Sequence, residues 1–310
     1  MRKCDRCSKE AKIFLAYGPH WLCKQHFLEF FEKRVRKTIN KFKLVKPGEK
    51  IAVGVSGGKD SITCLHLLKS IFPKGTEIIG VSIDEGIKGY RDKALKVAKK
   101  HYKELGVDFT VVSVKKELGF SMSEIARKLA ERKNEQETQS TCSYCGVFRR
   151  KLLNDFALRE KCKKLATGHN LDDEVQTMLM NIMQNDFQKF SWLGPITGLK
   201  SKRFVPRVKP LYESPEKEII AYTQFRGWRV YDGECCPFSW QAKRNAFRKA
   251  VDDIESKYPN AKFAALKFFQ QLKPVLEKAE SKKLNHCRNC GALTSSIECS
   301  ACKQLKKLSS

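Results

Sequence analysis

Short apolar runs alternate with amphipathic stretches through residues 47–240 of the chain. The runs KIAVGVS, TEIIGVSID, VDFTVVSV and KLATGH have the length and β-branched content of buried strands, and RFVPRVKPL is predicted as a last strand. Between them, apolar residues recur at helical spacing, as in SITCLHLLKSIF and RDKALKVAKKHYKEL. Strands that alternate with helices predict right-handed βαβ units, so the expected fold class is α/β with a doubly wound parallel sheet.

Local signals predict further helices and their ends. They cover residues 27–45, a stretch within 122–135, a segment from Val147 that follows a CSYC loop, a segment from Leu171, and two segments within 241–280. Ser214, Pro215 and Gly227 are predicted as the N-cap, the first-turn proline and the C-terminal glycine of the helix EKEIIAYTQFRG. The final LKKLSS is predicted to trail off.

The net charge of the chain and its distribution indicate a class of binding partner. The 310 residues include 61 Lys and Arg against 34 Asp and Glu, a formal net charge of +27. Residues 1–50 hold 14 basic and 5 acidic side chains, and residues 241–310 hold 15 and 6, so each end contributes +9. A polyanion is the natural partner of such ends, although a generally lysine-rich composition is the alternative. Because no signal-peptide core, membrane-spanning run or lipidation signal is visible, we expect a cytoplasmic protein that binds no membrane.

Thirteen cysteines in a sequence with no secretion signal favour metal sites over disulfides. Pairs with two-residue spacing at each end predict two tetrahedral zinc sites. Their ligands are Cys4, Cys7, Cys23 and His26 for one Zn²⁺, and Cys287, Cys290, Cys299 and Cys302 for the other. The predicted domains are an N-terminal zinc knuckle with a linking helix (1–46), a catalytic domain (47–240), a helical extension (241–280) and a C-terminal zinc module (281–310). Cys64 and Cys162 stand alone and are expected to be buried small hydrophobes.

The first predicted strand runs into a glycine-rich segment, GVSGGKDS at residues 54–61, that opens a helix. Glycines let the backbone approach an anion, and N–H groups at a helix N-terminus bind phosphate. Ser56 and Ser61 add hydroxyl donors, and Lys59 adds a positive charge. A carboxylate beside phosphate is repulsive unless it holds a cation, so Asp60 is predicted to bind Mg²⁺.

SGGKDS after a hydrophobic strand resembles the PP-loop of the ATP pyrophosphatase superfamily, whose members cleave ATP between its α- and β-phosphates and adenylate an oxygen of the substrate. GHNLDD at residues 168–173 resembles a second motif of that superfamily, again at a strand end. The resemblance implies that Asp172 and Asp173 work with the metal and the nucleotide, and that Asp84 lies near the adenosine. The nucleotide-binding residues it implies are Gly54, Ser56, Gly57, Gly58, Lys59, Asp60, Ser61, Asp84 and Gly168.

The positions of four further cysteines indicate which kind of adenylating enzyme the sequence encodes. Cys142-x2-Cys145 precedes the GHNLDD strand, and Cys235-Cys236 follows the last helix of the sheet domain. Three thiolates are one short of a closed zinc site and suit an iron–sulfur cluster with one open iron. With its end modules, CxxCGxxRR and GHNxDD, the whole chain resembles the TtuA-type family of tRNA 2-thiouridine synthetases. That family's third cysteine precedes any residue, an aromatic and often Ser, which favours Cys236 over Cys235 as the third ligand of a [4Fe–4S] cluster.

The resemblance implies tRNA 2-thiolation. The C2 oxygen of a uridine, splayed out of its stack, attacks the α-phosphorus of ATP, and cluster-bound sulfur then expels AMP. Some relatives carry a catalytic Lys where this chain has Arg149, which stays charged and is assigned charge stabilisation only. The implied cofactors are ATP, Mg²⁺, a [4Fe–4S] cluster and two Zn²⁺. The implied partners are tRNA, a sulfur donor (a ubiquitin-like thiocarboxylate protein, a persulfide or sulfide) and a second copy of the chain.

Three alternatives stay open at this stage. The first is a PP-loop thiolase that cycles a cysteine persulfide without a cluster. The second is another adenylating enzyme, such as a lysidine- or amide-forming one, which would have no use for the CxxC pair. The third is a zinc-dependent nucleic-acid-binding protein with a decayed enzyme core, against which the intact SGGKDS and GHNLDD motifs argue.

Overall fold

The computed structural model describes residues 2–72, 75–131, 140–198, 203–233, 236–279 and 285–309. Its N-terminal part is an antiparallel hairpin, β1 (Ile13–Leu15) and β2 (His20–Leu22), followed by the helix α1 (Lys24–Lys41). The hairpin is too short to hold a hydrophobic core of its own. Leu15 and Leu22 are buried instead in the same cluster as Phe27 and Phe31 of α1.

The central part alternates strands and helices as the apolar pattern predicts. Its elements are β3 (Lys50–Gly54), α2 (Lys59–Ile71), β4 (Glu77–Asp84), α3 (Arg91–Glu104), β5 (Phe109–Ser113), α4 (Val114–Leu118), α5 (Met122–Glu131), α6 (Thr141–Arg159), β6 (Lys164–Thr167), α7 (Leu171–Met183), α8 (Phe187–Ser191), β7 (Ile196–Thr197), β8 (Arg207–Val208) and α9 (Glu216–Arg226). Part of the helix predicted within 122–135, residues 132–135, lies outside the described residues.

One six-stranded sheet organises the central part, with the strand order β5-β4-β3-β6-β8-β7. All neighbouring pairs are parallel except β7 and β8, which are antiparallel. The chain first adds strands on one side of β3 and then returns to its other side with β6. The doubly wound parallel sheet is therefore confirmed, with an antiparallel edge strand that was not predicted. In such sheets, ligands bind beyond the carboxyl ends of the two strands at which the direction reverses.

The C-terminal part begins with a 3₁₀ turn (Ser239–Gln241) and two helices, α10 (Arg244–Lys257) and α11 (Ala261–Ala279). It ends with a short hairpin, β9 (Asn285–His286) and β10 (Leu293–Thr294), and the helix α12 (Ser300–Ser309). The prediction that LKKLSS trails off is wrong, because Ala301 and Leu308 are buried in the hydrophobic cluster that also contains Tyr144 and Phe148 of α6.

Helices cover both faces of the sheet. On one face, α1, α2, α3 and α9 share a cluster with the N-terminal hairpin, and on the other, α5, α6 and α12 share a second cluster. A third cluster joins α7 to α10 and α11. No helix among the described residues is both long enough and apolar enough to cross a membrane.

Two predicted boundaries near the strand ends are wrong. The CSYC segment is not a loop before a helix, since α6 begins at Thr141 and contains both cysteines. Ser140 caps α6, with its side chain accepting a hydrogen bond from the backbone N–H of Ser143 at 3.4 Å. The predicted strand RFVPRVKPL shortens to Arg207–Val208. Pro206, which has no N–H to donate, precedes that strand and accepts only through its carbonyl, from Leu165.

The N-terminus of α9 differs from its prediction by one residue. Pro215 is the N-cap, not the first-turn residue, and the hydroxyl of Ser214 is buried without a hydrogen-bond partner. The cap is supplied from another helix: Asp172 Oδ2 accepts a hydrogen bond from the backbone N–H of Glu216 at 2.7 Å. Gly227 ends α9 in the left-handed conformation, as predicted.

Candidate active site and metal centres

The glycine-rich segment turns from β3 into α2. Gly57 has φ +96°, and a Cβ there would clash with the carbonyl oxygen of Ala94, so only glycine fits. Ser61 Oγ lies inside the loop, where it donates to Gly58 O at 2.9 Å and accepts from Ser56 N–H at 3.1 Å. The N-cap of α2 is Gly58, which offers no side chain to its first N–H groups. These donors suit a phosphate.

The GHNLDD segment meets the glycine-rich loop at the carboxyl ends of the neighbouring strands β3 and β6. Gly168 permits the contact, because a Cβ there would lie 2.7 Å from the carbonyl carbon of Asp60 and from the amide nitrogen of Ser61. Asn170 Nδ2 donates a hydrogen bond to Asp60 Oδ1 at 3.0 Å. The two motifs, which are 107 residues apart from Ser61 to Gly168, therefore form one site.

The side chains of Lys59 and Asp60 face this junction. Lys59 Nζ lies 2.6 Å from Glu216 Oε1 and 3.2 Å from Asp60 Oδ2. The pKa of Asp60 is raised, first by burial and then by the charges of Asp173 and Glu216, while Lys59 and Asn170 oppose the shift. A crowded carboxylate of this kind gains most from a cation, which supports the predicted Mg²⁺ ligand.

The neighbouring aspartates of GHNLDD have different surroundings. Asp173 forms a capping box with Asn170 at the start of α7, and its Oδ1 accepts a hydrogen bond from Arg244 at 2.7 Å. Asp172 is buried. Its Oδ1 lies 2.5 Å from Lys262 Nζ, and its Oδ2 caps α9. Asp173 therefore faces Asp60 and the loop, whereas Asp172 is engaged with α9 and α11.

Polar side chains at the start of α3 and after β4 support the loop from the neighbouring strand's side. Arg91 is buried and donates to Ser56 O at 2.8 Å and to Ile83 O at 2.6 Å, while it pairs with Glu85 at 2.7 Å. Asp84, predicted at the adenosine, accepts a hydrogen bond from Gly86 N–H at 2.9 Å and ends β4 at the same edge of the sheet.

The cysteines predicted to hold a cluster come together from two segments. Cys142 and Cys145 lie one turn apart at the start of α6, and Cys142 Sγ donates to Phe238 O, two residues after Cys236, at 3.1 Å. Burial is the main cause that raises the pKa of the Cys142 and Cys145 thiols, and the charge of Cys236 raises the pKa of both further. For Cys145, the charge of Glu85 has a larger effect than that of Cys236. Cys235 lies outside the described residues.

This donor set fits an iron–sulfur cluster. All three side chains are partly buried, and burial raises the pKa of Cys145 to about 11, so the thiols need a metal to become thiolates. Arg149, predicted to stabilise charge, lies one turn after Cys145, and its Nε is 3.5 Å from Glu85 Oε1. It opposes the shift in the pKa of Cys145. The site thus combines soft ligands with a fixed positive charge.

The end modules bring together the predicted zinc ligands. In each set the ligand atoms lie within 4.8 Å of one another: Cys4, Cys7, Cys23 and His26 in one, and Cys287, Cys290, Cys299 and Cys302 in the other. A tetrahedral Zn²⁺ with Zn–S bonds of about 2.3 Å separates its sulfurs by roughly 3.8 Å. The Sγ distances are 3.8 Å between Cys7 and Cys23 and 3.6 Å between Cys290 and Cys299. Both sets fit zinc.

Cys64 and Cys162, outside these sets, are buried as expected.

Several residues at the site were not predicted from the sequence. Glu216 was interpreted only as part of an acidic first turn, Arg244 only as the start of a helix, and Lys262 fell between the two helices predicted within 241–280. A signal existed for Arg150, which follows Arg149 in the CxxCGxxRR motif. None existed for Arg207, which lies in a strand of two residues.

Comparisons with known proteins found similarity over most of the chain. The PP-loop domain family matches residues 28–253. The chain is 35% identical over 302 residues to the tRNA-5-methyluridine(54) 2-sulfurtransferase of Pyrococcus horikoshii, across 97% of this chain and 93% of that protein. It is 33% identical over 309 residues to the cytoplasmic tRNA 2-thiolation protein 1 of Aspergillus niger, across 98% and 88%. The solved structure of the U34-tRNA thiolase NcsA from Methanococcus maripaludis with its [4Fe-4S] cluster has a TM-score of 0.84 at 32% identity, across 99% and 97% of the chains.

Proposed function

The chain belongs to the PP-loop family of tRNA 2-thiolation enzymes, and from this premise we propose that it makes 2-thiouridine in tRNA by adenylating a uridine C2 oxygen and replacing it with sulfur from a cluster. The observation that carries the proposal is the placement of Cys142, Cys145 and Cys236 beside the edge of the sheet that holds the PP-loop and GHNLDD. An enzyme that only adenylates needs the loop but has no use for three converging thiols.

ATP binds with its phosphates over the glycine-rich loop in this proposal. The unpaired N–H groups at the start of α2 and the ammonium of Lys59 hold the phosphates, and Asp60 and Asp173 hold Mg²⁺, which would neutralise charge on the leaving pyrophosphate. The oxygens of both aspartates have hydrogen-bond partners, but Asp173 is 23% exposed and can exchange a partner for the ion, whereas Asp172 is 4% exposed. We therefore assign Asp172 a positioning role between Lys262 and the backbone N–H of Glu216.

The reaction runs in two displacements. The C2 oxygen of the uridine attacks the α-phosphorus, pyrophosphate leaves, and Lys59 and the loop amides stabilise the developing negative charge. A sulfur at the oxidation level of sulfide then forms a bond to C2, the C2–O bond breaks, and AMP leaves with the former carbonyl oxygen. No electrons are gained or lost. When bound by the three cysteines, the cluster would supply an open iron that presents this sulfur.

Arg149 is placed to serve the second displacement. It lies one turn of α6 beyond Cys145, with 48% of its side chain exposed, and its partner Glu85 is shared with Arg91. A guanidinium cannot act as a base, so its role is to stabilise the negative charge on the sulfur and on the departing AMP.

The two end modules would hold zinc as a structural metal, and their basic surfaces would bind the body of the tRNA through its phosphates. The domain limits at residues 46, 240 and 280 stay a prediction. We propose the cytoplasm as the compartment, as the name of the Aspergillus niger relative states for that protein. From the family resemblance, we also expect a sulfur donor and a second copy of the chain as partners.

The test is metal and sulfide analysis, with a visible spectrum, of protein purified without oxygen. We expect two zincs and three to four irons per chain, and a brown protein with an absorption band at about 400 nm. Cys142→Ala should lose the iron and the band and keep both zincs, and Cys64→Ala, at an isolated buried cysteine, should keep both metals.

The same preparations are then given ATP and unmodified tRNA, and nucleosides are identified by mass spectrometry. The wild-type protein should form 2-thiouridine and AMP, and Cys142→Ala should not. A colourless protein with zinc alone that thiolates tRNA fully in air would refute the cluster and favour a cysteine persulfide.

A further inference from the structure

Four arginines from three separate elements lie close enough together for the charges of Arg149, Arg207 and Arg244 to act on Arg150. Arg149 and Arg150 are on α6, Arg207 is in β8, and Arg244 begins α10. Asn154, one turn after Arg150, fixes this arrangement. Its Nδ2 donates to Arg203 O at 3.3 Å, and its Oδ1 accepts from Val205 N–H at 3.0 Å. These bonds hold the start of β8 against α6.

Among the described residues, carboxylates pair with only two of the four arginines. Arg244 pairs with Asp173 at 2.7 Å, and Arg149 is 3.5 Å from Glu85. Among the described residues, neither Arg150 nor Arg207 forms an ion pair with a carboxylate. The charge of Glu174 acts on Arg207, but the Glu174 carboxylate is already paired with Lys209 at 2.5 Å.

The charges of the neighbouring arginines repel the guanidinium of Arg150. The pKa of Arg150 is lowered to about 10, first by its partial withdrawal from water and then by the charges of Arg207, Arg149 and Arg244. The Nε of Arg207 is buried and has no hydrogen-bond partner. A buried donor without a partner costs free energy in the folded protein. An anion delivered by a ligand would accept that hydrogen bond and offset the repulsion on Arg150.

The planar guanidinium binds phosphate with two parallel hydrogen bonds, which makes phosphate the chemistry that fits best. We propose that Arg150 and Arg207 form a phosphate subsite, bordered by Arg149 and Arg244, beside the reacting uridine. Its ligand is the RNA phosphodiester next to that uridine or the pyrophosphate released from ATP. The inference rests on the proposed function for the identity of the RNA. It adds a phosphate contact in the sheet domain to those expected at the end modules.

The experiment compares Arg150→Gln and Arg207→Gln with Arg159→Gln in metal-loaded protein. Arg159 is a matched control, because it is exposed on the same helix, forms no ion pair among the described residues, and lies nine residues beyond Arg150, about 13.5 Å along the axis. Binding of labelled, unmodified tRNA is measured by fluorescence anisotropy at several salt concentrations without ATP. Binding of inorganic pyrophosphate is measured by calorimetry without tRNA.

If the RNA phosphodiester is the ligand, each variant should bind tRNA about tenfold more weakly than the control. The slope of log affinity against log salt should also fall by about one, while pyrophosphate binding is unchanged. The opposite pattern, weaker pyrophosphate and unchanged tRNA binding, would keep the phosphate subsite and assign it to ATP. Affinities equal to the control for both ligands would overturn the proposal.

These measurements test the phosphate subsite separately from the proposed tRNA thiolation. A wild-type protein that binds no tRNA would count against tRNA thiolation, and the pyrophosphate titration would still test the subsite. Arg150 is on the surface of α6, so its substitution is not expected to unfold the protein. Arg207→Lys, which keeps the charge but not the planar fork, should recover the salt slope and only part of the affinity.

Discussion

The ion pair between Lys262 of α11 and Asp172 of α7 gives a sharp prediction. The side chains are 5% and 4% exposed, and Nζ lies 2.5 Å from Oδ1. Lys262→Met keeps the length and the apolar stem but leaves the carboxylate with one partner, the backbone N–H of Glu216. Removing one member of a buried pair typically costs about 3–5 kcal/mol, because the remaining charge cannot be solvated. We expect a loss of this size at pH 8.

The loss should depend on pH in a defined direction. Burial raises the pKa of Asp172 even with Lys262 present, and without the lysine it should rise further. An aspartate whose pKa is higher in the folded than in the unfolded state binds more protons when folded. Its stabilising contribution is then largest at low pH and is lost as the pH rises through the folded pKa. The Lys262→Met variant should therefore lose at least about 1 kcal/mol less at pH 5 than at pH 8.

The assay is urea unfolding of the zinc-loaded protein at both pH values, followed by tryptophan fluorescence and circular dichroism. Lys267→Met is the control, because Lys267 is exposed on the same helix and should change the free energy of unfolding by less than about 0.5 kcal/mol. The double variant with Asp172→Asn should recover most of the loss, since it leaves no unpaired charge. A Lys262→Met variant within about 1 kcal/mol of wild type at pH 8 would refute the reasoning.

Two further predictions concern the ATP site. Gly168→Ala should weaken binding of a non-hydrolysable ATP analogue about tenfold, because the added Cβ forces the GHNLDD segment away from the backbone of Asp60. Calorimetry checks this, and an unchanged affinity would contradict it. Glu216→Gln should tighten the same binding about two- to fivefold, because the phosphates no longer compete with a carboxylate 2.6 Å from Lys59 Nζ. Weaker binding would mean that Glu216 positions the lysine.

The sequence was sufficient to place both ATP motifs at one edge of the sheet. Each motif directly follows an apolar run, and parallel strands bring their carboxyl ends to the same side. The grouping of the cysteines and histidine in the end modules was equally predictable, because two-residue spacing between ligands is typical of tetrahedral zinc sites. The start of α6 was mistaken for a different reason. Ser140 is a favourable N-cap immediately before the cysteines, but the CSYC segment was interpreted only through its ligand spacing.

Contacts between elements distant in the sequence could not be predicted. No periodicity marks Lys262 as the one lysine of an amphipathic helix whose ammonium is buried between two carboxylates. The cap of α9 is equally hidden, since it comes from Asp172, which precedes Glu216 by 44 residues. Local propensity favoured Ser214, whose hydroxyl finds no partner. The hydrogen bond between Asp172 of α7 and the start of α9 and the packing of α7 against α11 decided these cases.

The neighbouring aspartates of GHNLDD show why a motif does not assign roles by itself. Successive residues of a helix point about 100° apart, so Asp172 and Asp173 have different neighbours. Asp173 faces Asp60, and Asp172 bonds to the N-terminus of α9, whose first residue holds Lys59. Through Lys262, Asp172 also holds α11 of the basic C-terminal part. The chain of contacts from Lys59 through Glu216 and Asp172 to Lys262 therefore ties the ATP loop to helices expected near the tRNA.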